Sequence, residues 1–334
     1  MLLFLPRKRT TWWRKLAWGC LVAGVLSFAA EAFHVLLGSN FHVVVPGKVY
    51  RCAQQTPDDL EQLIKAYGIR TVLNLRGCCP DCSWYLEECR VTHRLNVSQE
   101  DIILSAGRFP STTEMRRLVE VLDHTEYPIL IHCRRGADRT GLVSAVILLL
   151  QKETTLERAR KQLSLRFGHI PIGRPKNLDR YLDLYENWLI SQKRSHSSET
   201  FREWLQLDHC PGHCIARIEA LDFPERIKVG RPQAFSVRVC NLGRETWRFQ
   251  RESNAGVHAV LSVWDANGCC LAMDWAGLFD AVVLPGQSID LTFAVPSINV
   301  PGHHRVVVNM IDAAHCLFFQ VGSEPLERDL IVEP

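Results

Sequence analysis

Between two apolar runs, Ile129-Leu130-Ile131 and Leu142 to Leu150, the chain places one polar block, HCRRGADRTG, residues 132–141. Nothing else in the sequence restricts the fold as tightly. A short buried β-type run, a loop with three arginines and a segment apolar almost all round spell strand, loop and buried helix. Such a loop can turn successive backbone N–H groups toward one point as a nest for an anion. The helix opening at about Thr140 adds the positive end of its dipole. Arg139 offers a planar guanidinium that can grip two phosphate oxygens. The same field favours the thiolate of Cys133, aimed at a bound phosphorus. Gly136 suits the tight loop, and Gly141 permits close packing at the helix start.

The surrounding segments alternate between the two periods. Val43 to Val45 and Val49-Tyr50 read as extended chain around a Pro-Gly turn. Thr56 caps a helix with Pro57 at its first position and Gly68 at its end. Ile69 to Leu75 reads as a central strand, Ser83 to Arg90 as a helix and His93 to Val97 as a short strand. Ser111 and Glu114 form a capping box for a helix to residue 124. Helices over Leu156 to Phe167 and Leu178 to Ile190 complete a layered α/β domain, residues 41–192. A polar linker, 193–209, follows. From 210 to 324 the period is two: Phe235, Val237 and Val239 alternate with polar neighbours, as do Ile289, Leu291, Phe293 and Val295. Six to eight such strands predict an all-β sandwich, similar to immunoglobulin-like modules.

The N-terminus has another character. A basic segment, 1–15, leads into an apolar stretch, 16–37, beside Trp12, Trp13 and Trp18. Two expectations follow: a single membrane anchor with the rest of the chain extracytoplasmic, or a signal peptide cleaved near Ala30-Glu31-Ala32 and a secreted protein. The thirteen cysteines include a cluster at Cys78, Cys79, Cys82 and Cys89 and a pair at Cys210 and Cys214. Disulfides or free thiols are expected there ahead of zinc, because Cys79-x-x-Cys82 has no second pair at zinc spacing. A net charge of +3 without a basic recognition motif argues against nucleic acid as a partner.

At every fixed position HCRRGADRTG resembles the H-C-x5-R-[ST]-G signature of the cysteine-dependent protein tyrosine phosphatase superfamily. From "GKVYRCAQQTPDDLEQLIKAYGIRTVLNLRG" to "LDRYLDLYENWL" the chain is similar to the compact, bacterial-type dual-specificity branch. The resemblance covers roughly residues 46–190 and implies a hydrolase that forms a phosphocysteine intermediate, with no metal or other cofactor. It implies that Cys133 attacks phosphorus, Arg139 binds the phosphate, Thr140 assists departure of sulfur and His132 orients the cysteine. Asp101 is the first choice for general acid and Asp138 the rival, since some bacterial relatives carry an aspartate just before the arginine. Arg134, Arg135, Gly136 and Ala137 would line the substrate. Lipid phosphatases of the superfamily carry basic residues in this loop; Arg134 matches one such position, but Ala137 stands where they have lysine. A phosphorylated protein is therefore the first expectation, and a phosphoinositide the alternative. A binding protein that keeps only phosphate affinity is the other class. For the β-domain the expectation is a protein or carbohydrate ligand, because Asp265, Asp274, Asp280 and His303-His304 form no convergent catalytic set.

Overall fold

A computed structural model describes residues 10–36, 38–209, 213–295 and 297–334. The first helix, α1 (Thr10–Leu36), leads into a hairpin of β1 (His42–Val45) and β2 (Val49–Ala53). Then come α2 (Pro57–Tyr67), β3 (Thr71–Asn74), α3 (Ser83–Arg94), β4 (Ser98–Asp101), α4 (Thr112–His124), β5 (Ile129–Cys133) and α5 (Asp138–Leu149). The α/β part closes with α6 (Leu156–Arg160) and α7 (Lys176–Ser191).

The sheet runs β1-β2-β5-β3-β4, parallel except for the first pair. The middle strand is β5, where the signature begins, and β3, from the 69–75 segment, is the buried interior strand beside it. Alternation sorts its two faces. Tyr50, Cys52, Val72 and Leu130 pack with Leu60 and Ile64 of α2 and Val91 of α3. Val49, Leu73, Ile129, Ile131 and Cys133 join the core built on α4, α5 and α7. Helix α5 is buried at nearly every position, as its apolar sequence requires. The caps fall where the side-chain chemistry puts them: Thr56 accepts from the Asp59 N–H, and Ser111 and Glu114 close a capping box. Other boundaries differ. Helix α3 runs on to Arg94 with Glu88 and Thr92 on its buried face, so the strand expected at 93–97 starts only at Ser98. The helix expected to reach Phe167 stops at Arg160 and resumes as a single 3₁₀ turn, Leu165–Phe167.

The segment read as a linker is structured. Ser197 caps α8 (Ser198–Glu203), which continues as a π-turn, Trp204–Asp208. Phe201 and Trp204 are buried against Tyr181 and Tyr185 of α7, with ring centroids 4.9–5.6 Å apart. The polar run from Ser191 to Thr200 sets the linker reading, although Phe201 and Trp204 fall inside its bounds of 193–209.

Ten strands follow among the described residues: β6 (Ala216–Asp222), β7 (Arg226–Lys228), β8 (Gln233–Asn241), β9 (Trp247–Phe249), β10 (Val257–Trp264), β11 (Cys270–Ala276), β12 (Ala281–Val283), β13 (Ser288–Val295), β14 (Gly302–Asp312) and β15 (Leu326–Glu333). A sheet β11-β10-β14-β15-β7 and a sheet β13-β8-β6, with the small pair β12-β9, form the β-sandwich. Phe235, Val237, Val239, Leu291 and Phe293 from one side meet Ala259, Leu261, Val306 and Val308 from the other in one core.

The membrane expectation does not survive. Among the described residues no helix is long and apolar enough to cross a membrane. The apolar run gives way at Glu31, inside α1, and the last turn faces protein: His34 Nε2 lies 3.3 Å from Phe41 O, and its ring packs edge-on against His42. The anchor at 16–37 and the extracytoplasmic catalytic domain inferred from it are both corrected. The basic residues Arg7, Lys8 and Arg9 lie outside the described residues, as does Cys210.

Trp204→Ala removes a side chain that is 2% exposed and should lower the free energy of unfolding by about 3–5 kcal/mol. Leu207→Ala, at 75% exposure in the same turn, should change it by less than about 0.5 kcal/mol. Urea unfolding followed by far-ultraviolet circular dichroism compares the two; equal effects would mean that the 198–208 segment is not a packed element.

Candidate active site

Parallel strands deliver their C-terminal ends to one edge of the sheet, where loops can build a site. Cys133 ends β5 at that edge and is buried, 3% exposed. Between it and α5 the loop polarises. The carbonyls of Gly136 and Ala137 accept from Arg51 Nη2 at 2.7 and 3.2 Å. The Arg135 carbonyl accepts from Asn40 Nδ2 at 2.9 Å, and the Arg134 carbonyl from the Gln54 N–H at 3.4 Å. The N–H groups of residues 134–137 have no protein partner among the described residues. With its carbonyls occupied and its amides free of protein partners, the loop keeps the donors that an anion-binding nest needs.

Arg51 is the largest feature that sequence reasoning missed. It sits in the β2 run VYRCA, fully buried, and also donates from Nη1 to Gln162 O and Oε1, both at 3.0 Å. Its guanidinium lies 4.2 Å from the centre of the Phe167 ring. Burial pulls it down to about 10, against the pull of the neighbouring Cys133 sulfur, which favours the cation. The one available signal was an arginine inside an otherwise apolar strand. Gly136 lies beside it at φ +66°, and a Cβ there would come within 2.6 Å of the Cys52 backbone. Gly141 is equally constrained, since its Cβ would meet Gln162 O at 2.8 Å.

His132 is buried beneath the loop, with Nε2 3.1 Å from Glu88 Oε2. Glu88 comes from the buried face of α3 and also accepts from Gln54 Nε2 at 2.7 Å. A carboxylate at Nε2 places the ring proton there, leaving Nδ1 as acceptor. Arg139 is held by carbonyls of two other loops, Leu75 O at 3.2 Å and Leu104 O at 3.5 Å. Thr140, in the first turn of α5, has a buried hydroxyl without a protein partner. Arg134 and Arg135 are exposed at the mouth, whereas Gly136 and Ala137 are buried in the loop. A further cation, Arg76, stacks 3.5 Å over the ring of Trp84. It also donates to Gln54 Oε1 at 3.3 Å, and burial, then the charges of Arg139 and Arg134, lower its proton affinity.

The two candidate acids occupy different surroundings. Asp101 ends β4 in the same cross-strand row as Asn74 and His132. Its carboxyl accepts from Asn74 Nδ2 at 2.7 Å and from the Tyr85 hydroxyl, both uncharged groups. Asp138, at the start of α5, accepts from Nδ1 of His169 at 2.7 Å, while Asp179 takes Nε2 at 2.9 Å. Burial opposes a charge on His169, but the hydrogen bonds to Asp138 and then Asp179 outweigh it, and the ring is pushed up to about 9. Cys79 and Cys82 are joined in a disulfide rather than poised as a zinc pair.

Residues 38–167 match the family model described as "PTP-SAK: Swiss Army Knife protein, DSP-PTPase phosphatase domain". Inositol diphosphatase DSP3 of Arabidopsis thaliana is 26% identical over 137 residues, 39% of this chain and 64% of that protein, so the match spans less than two thirds of the relative. The core catalytic domain of the PP-IP phosphatase SIW14 from S. cerevisiae aligns with a TM-score of 0.36 and 22% identity, covering 46% of this chain and 93% of that one. A CARDB domain from Pyrococcus furiosus aligns with a TM-score of 0.24 and 16% identity, covering 36% and 86%.

A pH test follows from His169. Its raised value means that the native state holds the proton more tightly than the unfolded chain. The resulting stability is fully present below pH 6.5 and is lost as pH rises through about 9. The loss should be about 3 kcal/mol for a ring this buried. His169→Asn should flatten the profile over that window in urea unfolding at several pH values; an unchanged slope would show that the pair with Asp138 is not formed.

Proposed function

Because residues 38–167 form a dual-specificity-type phosphatase domain of the cysteine-dependent protein tyrosine phosphatase superfamily, we propose that the chain hydrolyses small polyphosphorylated substrates, a phosphorylated inositol being the chemistry that fits best. The observation that carries this reading is that Arg76 donates to Gln54, whose N–H donates to Arg134 O, and directly follows Leu75, whose carbonyl takes Arg139, so the three arginines lie close together around the loop. One guanidinium suffices for the phosphate under attack; the others are suited to neighbouring phosphates of the same molecule. The name of the Arabidopsis relative, an inositol diphosphatase, points the same way.

In the proposed reaction the Cys133 sulfur attacks phosphorus as a thiolate. An S–P bond forms while the P–O bond to the leaving group breaks. Arg139 and the loop amides take up charge on the equatorial oxygens. Asp101 supplies a proton to the leaving oxygen and then accepts one from the water that opens the phosphocysteine. Asp101 is preferred over Asp138 because its partners are neutral: it can exchange a proton without breaking an ion pair, whereas Asp138 is held by His169. Thr140 can hydrogen-bond the departing sulfur, and Arg51 holds the loop in shape from behind.

Phosphate release from inositol polyphosphates, phosphotyrosine peptides and phosphoserine peptides tests the substrate. The inositol substrates should give the highest kcat/KM, Cys133→Ser should abolish turnover on all, and Arg76→Ala should cost about tenfold on the inositol substrates alone. Preference for phosphotyrosine peptides, unaffected by Arg76→Ala, would replace this reading with a protein phosphatase.

The general acid has its own test. Asp101→Asn should lower kcat by about 10²-fold on an alkyl phosphate, and far less on an aryl phosphate whose leaving group needs no proton. The same pattern in Asp138→Asn instead would move the role to Asp138.

A further inference from the structure

Away from the phosphate loop, a second group of reactive side chains gathers where the β-sandwich meets the α/β domain. Cys214, just before β6, and Cys316, in the loop after β14, are buried free thiols, 0% and 2% exposed. Their sulfurs and a ring nitrogen of His315, 3% exposed, lie within 4.8 Å of one another. A second set, His213, Cys214 and Asp312, meets the same limit and shares Cys214.

The loop that presents these groups is a closed turn. Ala314 N–H donates to Asp312 Oδ1 at 2.9 Å, His315 N–H to Asp312 O at 2.9 Å, and Asp312 N–H to Cys316 O at 3.0 Å. His213 Nε2 pairs with Asp312 Oδ2, the arrangement by which a carboxylate orients a ligating imidazole. The His213 Nδ1 is buried without a hydrogen bond, with only Glu245 at 3.5 Å beside it.

A single buried cysteine packs as a small apolar residue. Two thiols with two imidazoles and a carboxylate gathered together offer more ligating groups than apolar packing uses, and His213 Nδ1 among them is buried without a hydrogen bond. Each His315 nitrogen has a protein neighbour, Phe109 N–H at 3.3 Å from Nε2 and Asn177 Nδ2 at 3.0 Å from Nδ1, so the ring exchanges one of these contacts to ligate a metal. Two sulfurs and nitrogen donors suit zinc and do not suit magnesium or calcium. Zinc bonds of about 2.0–2.3 Å set tetrahedral donors roughly 3.3–3.8 Å apart, so within each set a contraction of at most about 1.0–1.5 Å is needed.

We infer that Cys214, His315 and Cys316, with the His213–Asp312 pair supplying the fourth ligand, bind one zinc ion that fastens the β-sandwich to the phosphatase domain. The role is structural. His315 also lines a cavity of about 530 Å³ together with Leu104, Gly107 and Arg174, and Leu104 O is a carbonyl that holds Arg139. The metal therefore fixes one wall of that cavity.

The full chain, stripped of metal under reducing conditions and reloaded with zinc, should retain about one zinc per chain after gel filtration. Cobalt(II) in its place should give sulfur-to-metal charge-transfer absorption in the near ultraviolet. Cys214→Ser with Cys316→Ser should lose both signals, while Cys269→Ser, at an exposed free thiol, should keep both. Should the double variant fail to fold, His315→Ala serves, with zinc affinity expected to fall at least about tenfold. Reduced wild-type chain that takes up no zinc, a Cys214–Cys316 disulfide that withstands reduction in mass mapping, or zinc retained by the variants would each overturn the site.

Discussion

A loop of polar backbone can bind an anion only if its amides and carbonyls are made to face opposite ways, and here that separation depends on Arg51. Its guanidinium takes the carbonyls of Gly136 and Ala137, while the N–H groups of the same residues keep no protein partner. The cation is buried, which weakens its hold on the proton, and four carbonyl or amide oxygens around it compensate. Gly136 must be glycine because this draws the loop onto the β2 backbone, and Asn40 clamps the Arg135 carbonyl at the other end. Cys133 sits over a positive charge that is part of the scaffold.

Around that core the site is assembled from separate elements, each fixed by a local interaction. Helix α3 turns Glu88 inward to hold His132. The segment after α6 returns His169 to bridge Asp138 and Asp179, which ties the start of α5 to α7. The loops after β3 and β4 contribute the carbonyls that orient Arg139. The two aspartates that the chain places near the loop thereby acquire different chemistry: one is paired with a histidine held charged, the other hydrogen-bonded only to neutral groups.

The β-sandwich is joined to this assembly by more than a tether. The aromatic turn at 201–204 packs on α7, and His315 reaches Phe109 and Asn177 across the boundary. Trp247 is buried in its core, whereas Trp264 and Trp275 line an open apolar groove of about 600 Å³ on the outer sheet face.

Much of this was legible from local rules. The caps at Thr56 and Ser111, the buried α5, the alternation in β8 and β13 and the strand–loop–helix around Cys133 all follow from periodicity and capping chemistry. Those rules act between residues a few positions apart, so a string displays them. The sequence could not show that Arg51, Glu88 and His169 serve the loop, that Arg76 joins its mouth, or that the cysteines at 214 and 316 meet. Nor could it show that the end of α1 turns to His42 and Phe41. Each of these pairs is dozens of residues apart or lies at a turn of the chain. Whether a buried charge or thiol has a partner is decided only when packing brings distant segments together, because the cost of burial and its compensation are properties of the folded neighbourhood.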